Sequence, residues 1–312
     1  MQTSFILFGR AVTGYGLGCA LAFLAGLVLM GICCKAKRIT YSVFIRTACL
    51  MIPLVLLMSR LIYVLANCTY YFTTLSKPAL MLNFWDGGYS LMGAIFGACL
   101  ACVLAGKGLR GKLLDAAAPG VMLACVIERI IEEGTGMGLG RIVESDFVYS
   151  FPFCVAADAS GADVHAVNRY EAVAAFILLA VVLILFIHMK NMQPGDLMLI
   201  ALVLFGCTQV VLESLRDDGH MVVHFVRIQQ VLAIILPVVA AAIWTVRNRR
   251  KTAVLSWFMI AAGIGITIWL EFKIDHSENV ILDYCLMILC MAAVAFGCLR
   301  CRGMERRVSH GA

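Results

Sequence analysis

Nine stretches of about 20 apolar residues, each long enough to cross a bilayer as a helix, dominate this sequence of 312 residues. They run approximately over residues 14–34, 43–66, 88–106, 114–131, 171–189, 196–214, 229–246, 253–271 and 279–299. Composition agrees with a lipid environment. Charged residues make up only 14%, against about 25% in an ordinary soluble domain. Hydrophobic residues make up 62%, with a mean hydropathy of +0.94, which is more apolar surface than one water-soluble core of this size hides. Disordered, collagen-like and coiled-coil chains are excluded on the same grounds, since each needs high charge, a Gly repeat or a polar heptad face.

The 14 cysteines fall mostly inside apolar runs, as Cys19, Cys99, Cys125, Cys207 and Cys290 do, where a thiol behaves as a small hydrophobe. They form no disulfide framework. Cys99 with Cys102 and Cys298 with Cys301 have CxxC spacing, but no second pair or His cluster stands nearby to complete a zinc site. His220 and His224 sit in a short loop without a third ligand, so neither a metal nor a cofactor is expected.

Lys and Arg accumulate on the cytoplasmic side of membrane proteins, and here they alternate from loop to loop. Lys35, Lys37 and Arg38 follow the first span; Lys107, Arg110 and Lys112 the third; Lys190 the fifth; Arg247, Arg249, Arg250 and Lys251 the seventh; Arg300, Arg302, Arg306 and Arg307 the ninth. The N-terminus is therefore expected outside and the C-terminus in the cytoplasm. Because the first positive cluster follows its apolar run, that run reads as a permanent anchor and not a cleavable signal. The opposite loops hold most of the loop acids, among them Asp86, Glu144, Asp146, Asp158, Asp163, Asp217, Asp218 and Asp275. A net charge of +6 then belongs to the face that meets anionic lipid headgroups, and does not point to nucleic acid. Residues 132–170 form one long outer loop, and 247–252 read as a hinge between a body of seven helices (1–246) and a terminal helix pair (247–312).

Ionisable groups inside spans are costly and usually face a protein interior or a wet cavity. In this chain they collect at the expected outer ends: Arg60 in the second span, Glu128 and Arg129 in the fourth, Tyr170 and Glu171 opening the fifth, and Gln209, Glu213 and Arg216 closing the sixth. Tyr15 starts the first, and Trp85 to Ser90 lead into the third. These positions predict one polar cavity open to the outer leaflet. Plainer roles compete: Arg60 and Arg129 as snorkelling side chains or partners of Glu128 and Glu171, the aromatics as a headgroup belt, Glu213 and Arg216 as a local ion pair. The run Gly134–Gly140 with Arg141 has the composition of a phosphate cradle but lacks the GK[ST] ending and a preceding strand, so it is no P-loop.

In order along the chain, these residues resemble the prolipoprotein diacylglyceryl transferase family of bacterial plasma membranes. Phe8-Gly-Arg-Ala-Val-Thr-Gly-Tyr-Gly-Leu17 with Phe23-Leu-Ala-Gly26 is similar to its first helix, and Ser59-Arg-Leu-Ile-Tyr-Val-Leu65 to its ARxxYVL segment. Trp85 to Gly97 resembles the W-x-GG-[ML]-S-[FI]-HGG-x-x-G block, and His165-Ala-Val-Asn-Arg-Tyr-Glu171 resembles HPSQLYE. Val210-Val-Leu-Glu-Ser-Leu-Arg216 resembles F-x-x-EFFR, and Ile228-Gln-Gln-Val-Leu232 resembles GQ-x-LS. The motifs cover roughly residues 8–246 and leave the last two helices without a counterpart. The expected fold is thus an all-α polytopic membrane protein, a seven-helix diacylglyceryl-transferase-like body plus two extra C-terminal transmembrane helices.

The resemblance implies transfer of a diacylglyceryl group from phosphatidylglycerol to the cysteine thiol of a lipoprotein precursor, with release of glycerol phosphate. Such chemistry needs a base for the thiol and fixed positive charge for the departing phosphate. The resemblance places the lipid phosphate on Arg129, Arg141 and Arg60, with Glu213, Arg216, Gly140 and Gln209 around it, and offers Glu171, Tyr15 or His165 as the base. There are departures. Met92 stands where the family has a histidine, Gln209 replaces an arginine, Phe205 replaces a tyrosine, and the GRxxNFxNxE signature survives mainly as Arg129. They favour, as an alternative, a descendant that binds lipid or a protein partner without transfer. A secondary transporter ranks last, because no inverted repeat is visible. The expected orientation predicts that an impermeant thiol reagent labels Cys68 and Cys154 in intact cells; labelling of Cys301 alone would invert it.

Overall fold

The computed structural model describes residues 4–7, 10–74, 77–84, 87–144, 146–188, 192–217, 221–223, 226–248, 253–274, 277 and 279–302. Expectations resting on Phe8, Trp85, Asp86, Lys190, Asp218, His220, His224, Arg249, Arg250, Lys251, Asp275, Arg306 and Arg307 lie outside these described residues.

Each of the nine apolar windows falls on one long helix: α1 (Gly14–Ala36), α2 (Tyr41–Ala66), α3 (Leu91–Ala105), α4 (Arg110–Glu132), α6 (Val167–His188), α7 (Asp196–Leu215), α8 (Ile228–Asn248), α9 (Ala253–Ile274) and α10 (Val280–Arg302). A single turn, α5 (Asp146–Tyr149), lies between α4 and α6. Among the described residues, seven of the long helices are long and apolar enough to span a membrane, which makes the chain an all-α multi-pass membrane protein. Of the other two, α3 is apolar but only 15 residues long. In α4 the charges stand at the two ends, with Arg110, Lys112 and Asp115 near one and Glu128, Arg129 and Glu132 at the other. Prolines 53, 119 and 237 lie within α2, α4 and α8, as helices packed in a membrane tolerate. Among the described residues, strands are confined to three short hairpins: β1 (Ser4–Leu7) with β2 (Arg10–Thr13), β3 (Val155–Ala157) with β4 (Asp163–His165), and β5 (Val222–Val223) with β6 (Val226–Arg227).

The chain divides into two compact units, Met1–Ala201 with Leu215–Val231, and Leu202–Ser214 with Leu232–Ala312. In the first, α1 packs on α4, α2 on α3, and α4 also on α3 and α6. Helix association in lipid relies on close backbone approach at small residues. Gly26 of α1 meets Gly120 of α4, where a Cβ on Gly26 would lie 2.7 Å from the Gly120 carbonyl oxygen. Thr13 caps α1 by accepting from the Gly16 N–H at 3.2 Å, and Ser90 caps α3 through Gly93 at 3.4 Å. The start of α7 is capped from another helix. Asp115 of α4, buried, accepts from the N–H groups of Gly195 (2.8 Å), Leu197 (2.9 Å) and Met198 (3.3 Å). An anionic acceptor there fills donors that the first helical turn leaves open and complements the helix dipole.

In the second unit α9 packs on α10, and Lys273 of α9 pairs with Asp283 of α10 at 2.7 Å. Asn248 at the end of α8 donates to the carbonyls of Cys301 (3.1 Å) and Arg302 (2.7 Å), closing the last turn of α10. Trp257 donates to the Thr245 hydroxyl at 3.1 Å.

The Asp115→Ala variant is expected to lose about 1–3 kcal/mol of stability through three unfilled amide donors. Thermal unfolding of the purified protein in detergent checks this, and Asp115→Asn, which keeps an acceptor oxygen, should recover part of the loss.

Candidate functional site

The last turn of α4 brings Glu128, Arg129 and Glu132 together. Glu128 and Glu132 lie four residues apart on one face, and Arg129 reaches Glu132 three positions on, the spacings at which helical side chains meet. Beyond Glu132 the chain leaves the helix through a short turn in which the Thr135 hydroxyl donates to the Glu132 carbonyl at 2.6 Å. Gly136 and Gly138 follow with φ of 72° and 73°, the left-handed region that glycine enters without penalty. This is how the chain uses its glycine run: as backbone stitched to two other segments. Gly138 accepts from the Asn168 N–H at 2.8 Å, Leu139 accepts from Asp217 at 2.8 Å, and Gly140 donates to the His165 carbonyl at 2.8 Å while bridging Arg216. A Cβ on Gly138 would stand 2.7 Å from Asn168 Cβ.

That stitching fixes the segment after α7, and with it Arg216, against the ends of α4 and α6. The outcome is a closed ring of alternating charge. Arg129 Nη1 meets Glu132 Oε2 at 2.6 Å. The other oxygen of Glu132 accepts from Arg216 Nη2. Arg216 Nη1 meets Glu171 Oε2 at 2.9 Å, and that oxygen lies 3.4 Å from Arg129 Nε. All four residues are nearly inaccessible, with relative exposures of 3% for Arg129, 6% for Glu132, 2% for Glu171 and 2% for Arg216. Arg227 donates to the Arg216 carbonyl. Glu128 stands beside the ring, with Oε2 3.6 Å from Arg129 Nε and Oε1 accepting from the Tyr15 hydroxyl of α1 at 2.7 Å.

A small apolar cleft lies between α1, α2, α3 and α4, lined by residues that include Phe23, Met51, Ile95, Gly120 and Cys125. Cys125 stands four residues before Arg129 on α4, so the cleft reaches to within about 6 Å of the ring along the helix axis.

Of the residues singled out in the sequence, the structure unites Arg129, Glu171, Arg216, Tyr15 and Gly140. Arg60 is placed elsewhere. Buried at the end of α2, its guanidinium donates to the carbonyls of Leu80 (3.1 Å), Met81 (3.3 Å), Gly88 (3.1 Å) and Gly87, binding the approach to α3. Arg141 is exposed. His165 lies on β4, its Nδ1 3.1 Å from the Tyr170 hydroxyl, which itself donates to the Cys154 carbonyl at 3.0 Å; burial lowers the pKa of this histidine. Gln209 and Glu213 belong to the second unit, both buried, with Gln209 Nε2 3.5 Å from Glu213 Oε2. Met92 and Phe205 are core residues.

Two participants escaped the sequence reading of the site. Glu132 occupies a ring corner, a role for which its spacing from Arg129 was the available signal. Asn168 was quoted only as part of a motif, yet it is 1% exposed and both polar atoms of its side chain lack a hydrogen-bond partner.

The architecture and this charged centre define a multi-pass membrane protein with a buried arginine–glutamate site at the helix ends beside an apolar cleft. Comparison of sequences makes the assignment finer: the profile described as prolipoprotein diacylglyceryl transferase matches residues 3–269, and the chain belongs to that family. The match continues past residue 246, where the motif resemblance stops, through most of α9. Similar proteins include the phosphatidylglycerol–prolipoprotein diacylglyceryl transferase of Bacillus licheniformis, 28% identical over 251 residues, covering 76% of this chain and 89% of that one. The protein of the same name from Bacillus velezensis is 27% identical over 263 residues, covering 80% and 93%. That from Halalkalibacterium halodurans is 25% identical over 214 residues, covering 65% and 71%.

Removing one corner of a buried ion network strands its partners, at a cost of about 3–5 kcal/mol. Arg216→Ala is therefore expected to lower stability by that order, read as the fraction remaining monodisperse after heating. Arg216→Lys should not restore it, since a single ammonium does not reproduce the planar fork that spans Glu132 and Glu171.

Proposed function

We propose that the chain transfers a diacylglyceryl group from phosphatidylglycerol to the cysteine thiol of a lipoprotein precursor, releasing glycerol phosphate. The observation that carries this reading is the Arg129–Glu132–Arg216–Glu171 ring, about one helical turn along α4 from an apolar cleft. A phospholipid needs both halves: fixed guanidinium donors for the phosphate and an apolar trough for acyl chains. The names of the similar bacterial enzymes support the same substrates.

In this reading Arg129 is the main phosphate ligand and Arg216 assists it. Glu132 and Glu171 hold both guanidiniums in place, so that little reorganisation is needed as charge develops on the leaving oxygen. Gly140 permits the backbone approach that sets Arg216. Arg141, exposed beside it, meets the headgroup from the water side, while Arg60 acts through residues 80–81 and 87–88, whose carbonyls it ties down. Gln209 and Glu213 form a polar pair of their own on α7. The site faces outward, with the N-terminus outside and the C-terminus cytoplasmic, and residues 247–312 add a helix pair to the reacting body of residues 1–246.

One observation favours the alternative of a lipid-binding descendant without transfer: both ring guanidiniums already have carboxylate partners. Complementation separates the two. Expressed in a bacterium depleted of its own diacylglyceryl transferase, this chain should restore lipoprotein modification, and Arg129→Ala at equal abundance should abolish it. No modified lipoprotein at comparable abundance overturns the transfer reading and leaves binding of lipid or of a protein partner.

A further inference from the structure

Within the charged cluster three carboxylates, those of Glu128, Glu132 and Glu171, meet the two guanidiniums of Arg129 and Arg216, and only two of the three belong to the closed ring. Glu171 is held by both arginines through one oxygen, and Glu132 spends one oxygen on each. Glu128 differs. Its Oε1 accepts from Tyr15 at 2.7 Å, whereas its Oε2 is buried without a hydrogen-bond partner. The facing Arg129 Nε, 3.6 Å away, is likewise buried without one. At the end of α4 an acceptor without a hydrogen bond thus faces an N–H that stands between Glu128 and Glu171, at 3.6 and 3.4 Å, and the Glu128 side chain is 13% exposed. Displacement of a phosphate by a thiol uses that pair: an acceptor for the S–H proton and an N–H for a phosphate oxygen.

We infer that Glu128, oriented by Tyr15, is the proton acceptor for the incoming cysteine thiol. The inference rests on the transfer reading above and names a catalytic residue for it. Glu128 Oε2 takes the thiol proton. The thiolate attacks the glyceryl carbon that carries the phosphate ester, the new S–C bond replaces the C–O bond, and the electron pair of the broken bond leaves on the oxygen of glycerol phosphate, toward Arg129. The proton on Glu128 then passes to the departing phosphate or to water, which restores the carboxylate. No oxidant, metal or further reactant is required. This assignment also answers the loss of a histidine at Met92, since the proton acceptor is supplied from α4. The groups that face Glu128 are Tyr15 and Cys19 from α1, Cys125, Arg129 and Glu132 from its own helix, and Glu171 from α6.

The test uses the full chain in detergent micelles with phosphatidylglycerol and a synthetic precursor peptide bearing one cysteine, and follows thioether formation by mass spectrometry. Glu128→Gln keeps the shape and the Tyr15 contact but removes the base. Its kcat is expected to fall about a hundredfold or more, with KM for phosphatidylglycerol changed less than threefold. The defect should shrink as pH rises past about 8.5, where solution supplies thiolate without help, and with an acceptor peptide whose thiol is more acidic; a merely structural defect responds to neither. Glu128→Asp should retain intermediate activity, and it carries the same pH test if Glu128→Gln fails to accumulate. Transfer by the unsubstituted protein together with an unchanged rate and pH profile in Glu128→Gln overturns the inference alone. Absence of transfer by the unsubstituted protein overturns it together with the function on which it rests.

Discussion

A charge in the interior of an apolar bundle survives only with a partner, and in this protein that constraint is met by a ring in which each guanidinium touches two carboxylates and each carboxylate two guanidiniums. Stripping water from such groups costs several kcal/mol per ion, and the mutual attraction compensates only if the geometry is held closely. The four corners come from α4, α6 and the segment after α7, so holding them means holding those segments. The glycine run does this. Its backbone ties residues 138–140 to Asn168, His165, Arg216 and Asp217, and its positive φ values at Gly136 and Gly138 allow the chain to double back beside Glu132. The polar centre is therefore both the most demanding element of the first unit and the clamp that closes it.

For a phospholipid, such a ring is a prepared but contested seat. A guanidinium has five N–H donors, and those of Arg129 and Arg216 are already oriented, so an arriving phosphate shares fixed donors instead of ordering loose ones. The neighbouring carboxylates oppose it, and they oppose a doubly charged phosphate monoester more than a singly charged diester. On the proposed reaction this repulsion acts against the product, glycerol phosphate, more than against the lipid. On that reaction the site trades tight substrate binding for release, at a position close to an apolar cleft.

Much of this was legible in the sequence. The nine apolar windows coincide with helices because hydrophobic length is a local property, and Tyr15, Arg129, Glu171 and Arg216 converge because polar residues inside spans have few places to go. What the letters do not display is pairing over distance. Glu132 and Arg216 are 84 residues apart, and nothing in either segment announces the other. Arg60 shows the converse: its depth marked it as functional, but a bend before α3 leaves several carbonyls turned inward, and a single guanidinium satisfies them. The glycine run likewise has the composition of an anion cradle, while its Gly140 N–H and its Gly138 and Leu139 carbonyls are engaged with neighbouring backbone.

Chemistry of this kind constrains where atoms stand more tightly than which helix supplies them. A proton acceptor must reach the thiol, remain poorly solvated and be kept in one orientation, and these conditions name a geometry and not a sequence position. Met92, 1% exposed in the core on α3, satisfies none of them chemically. On α4, one residue before the arginine that would bear the phosphate, Glu128 meets each: a carboxylate oxygen without a hydrogen bond, a tyrosine hydroxyl fixing its twin, and the Arg129 Nε at 3.6 Å. Base and phosphate ligand then lie on consecutive residues of one helix, so any shift of α4 moves both together. Such coupling keeps the separation between thiol and leaving group constant even where the surrounding motifs have diverged.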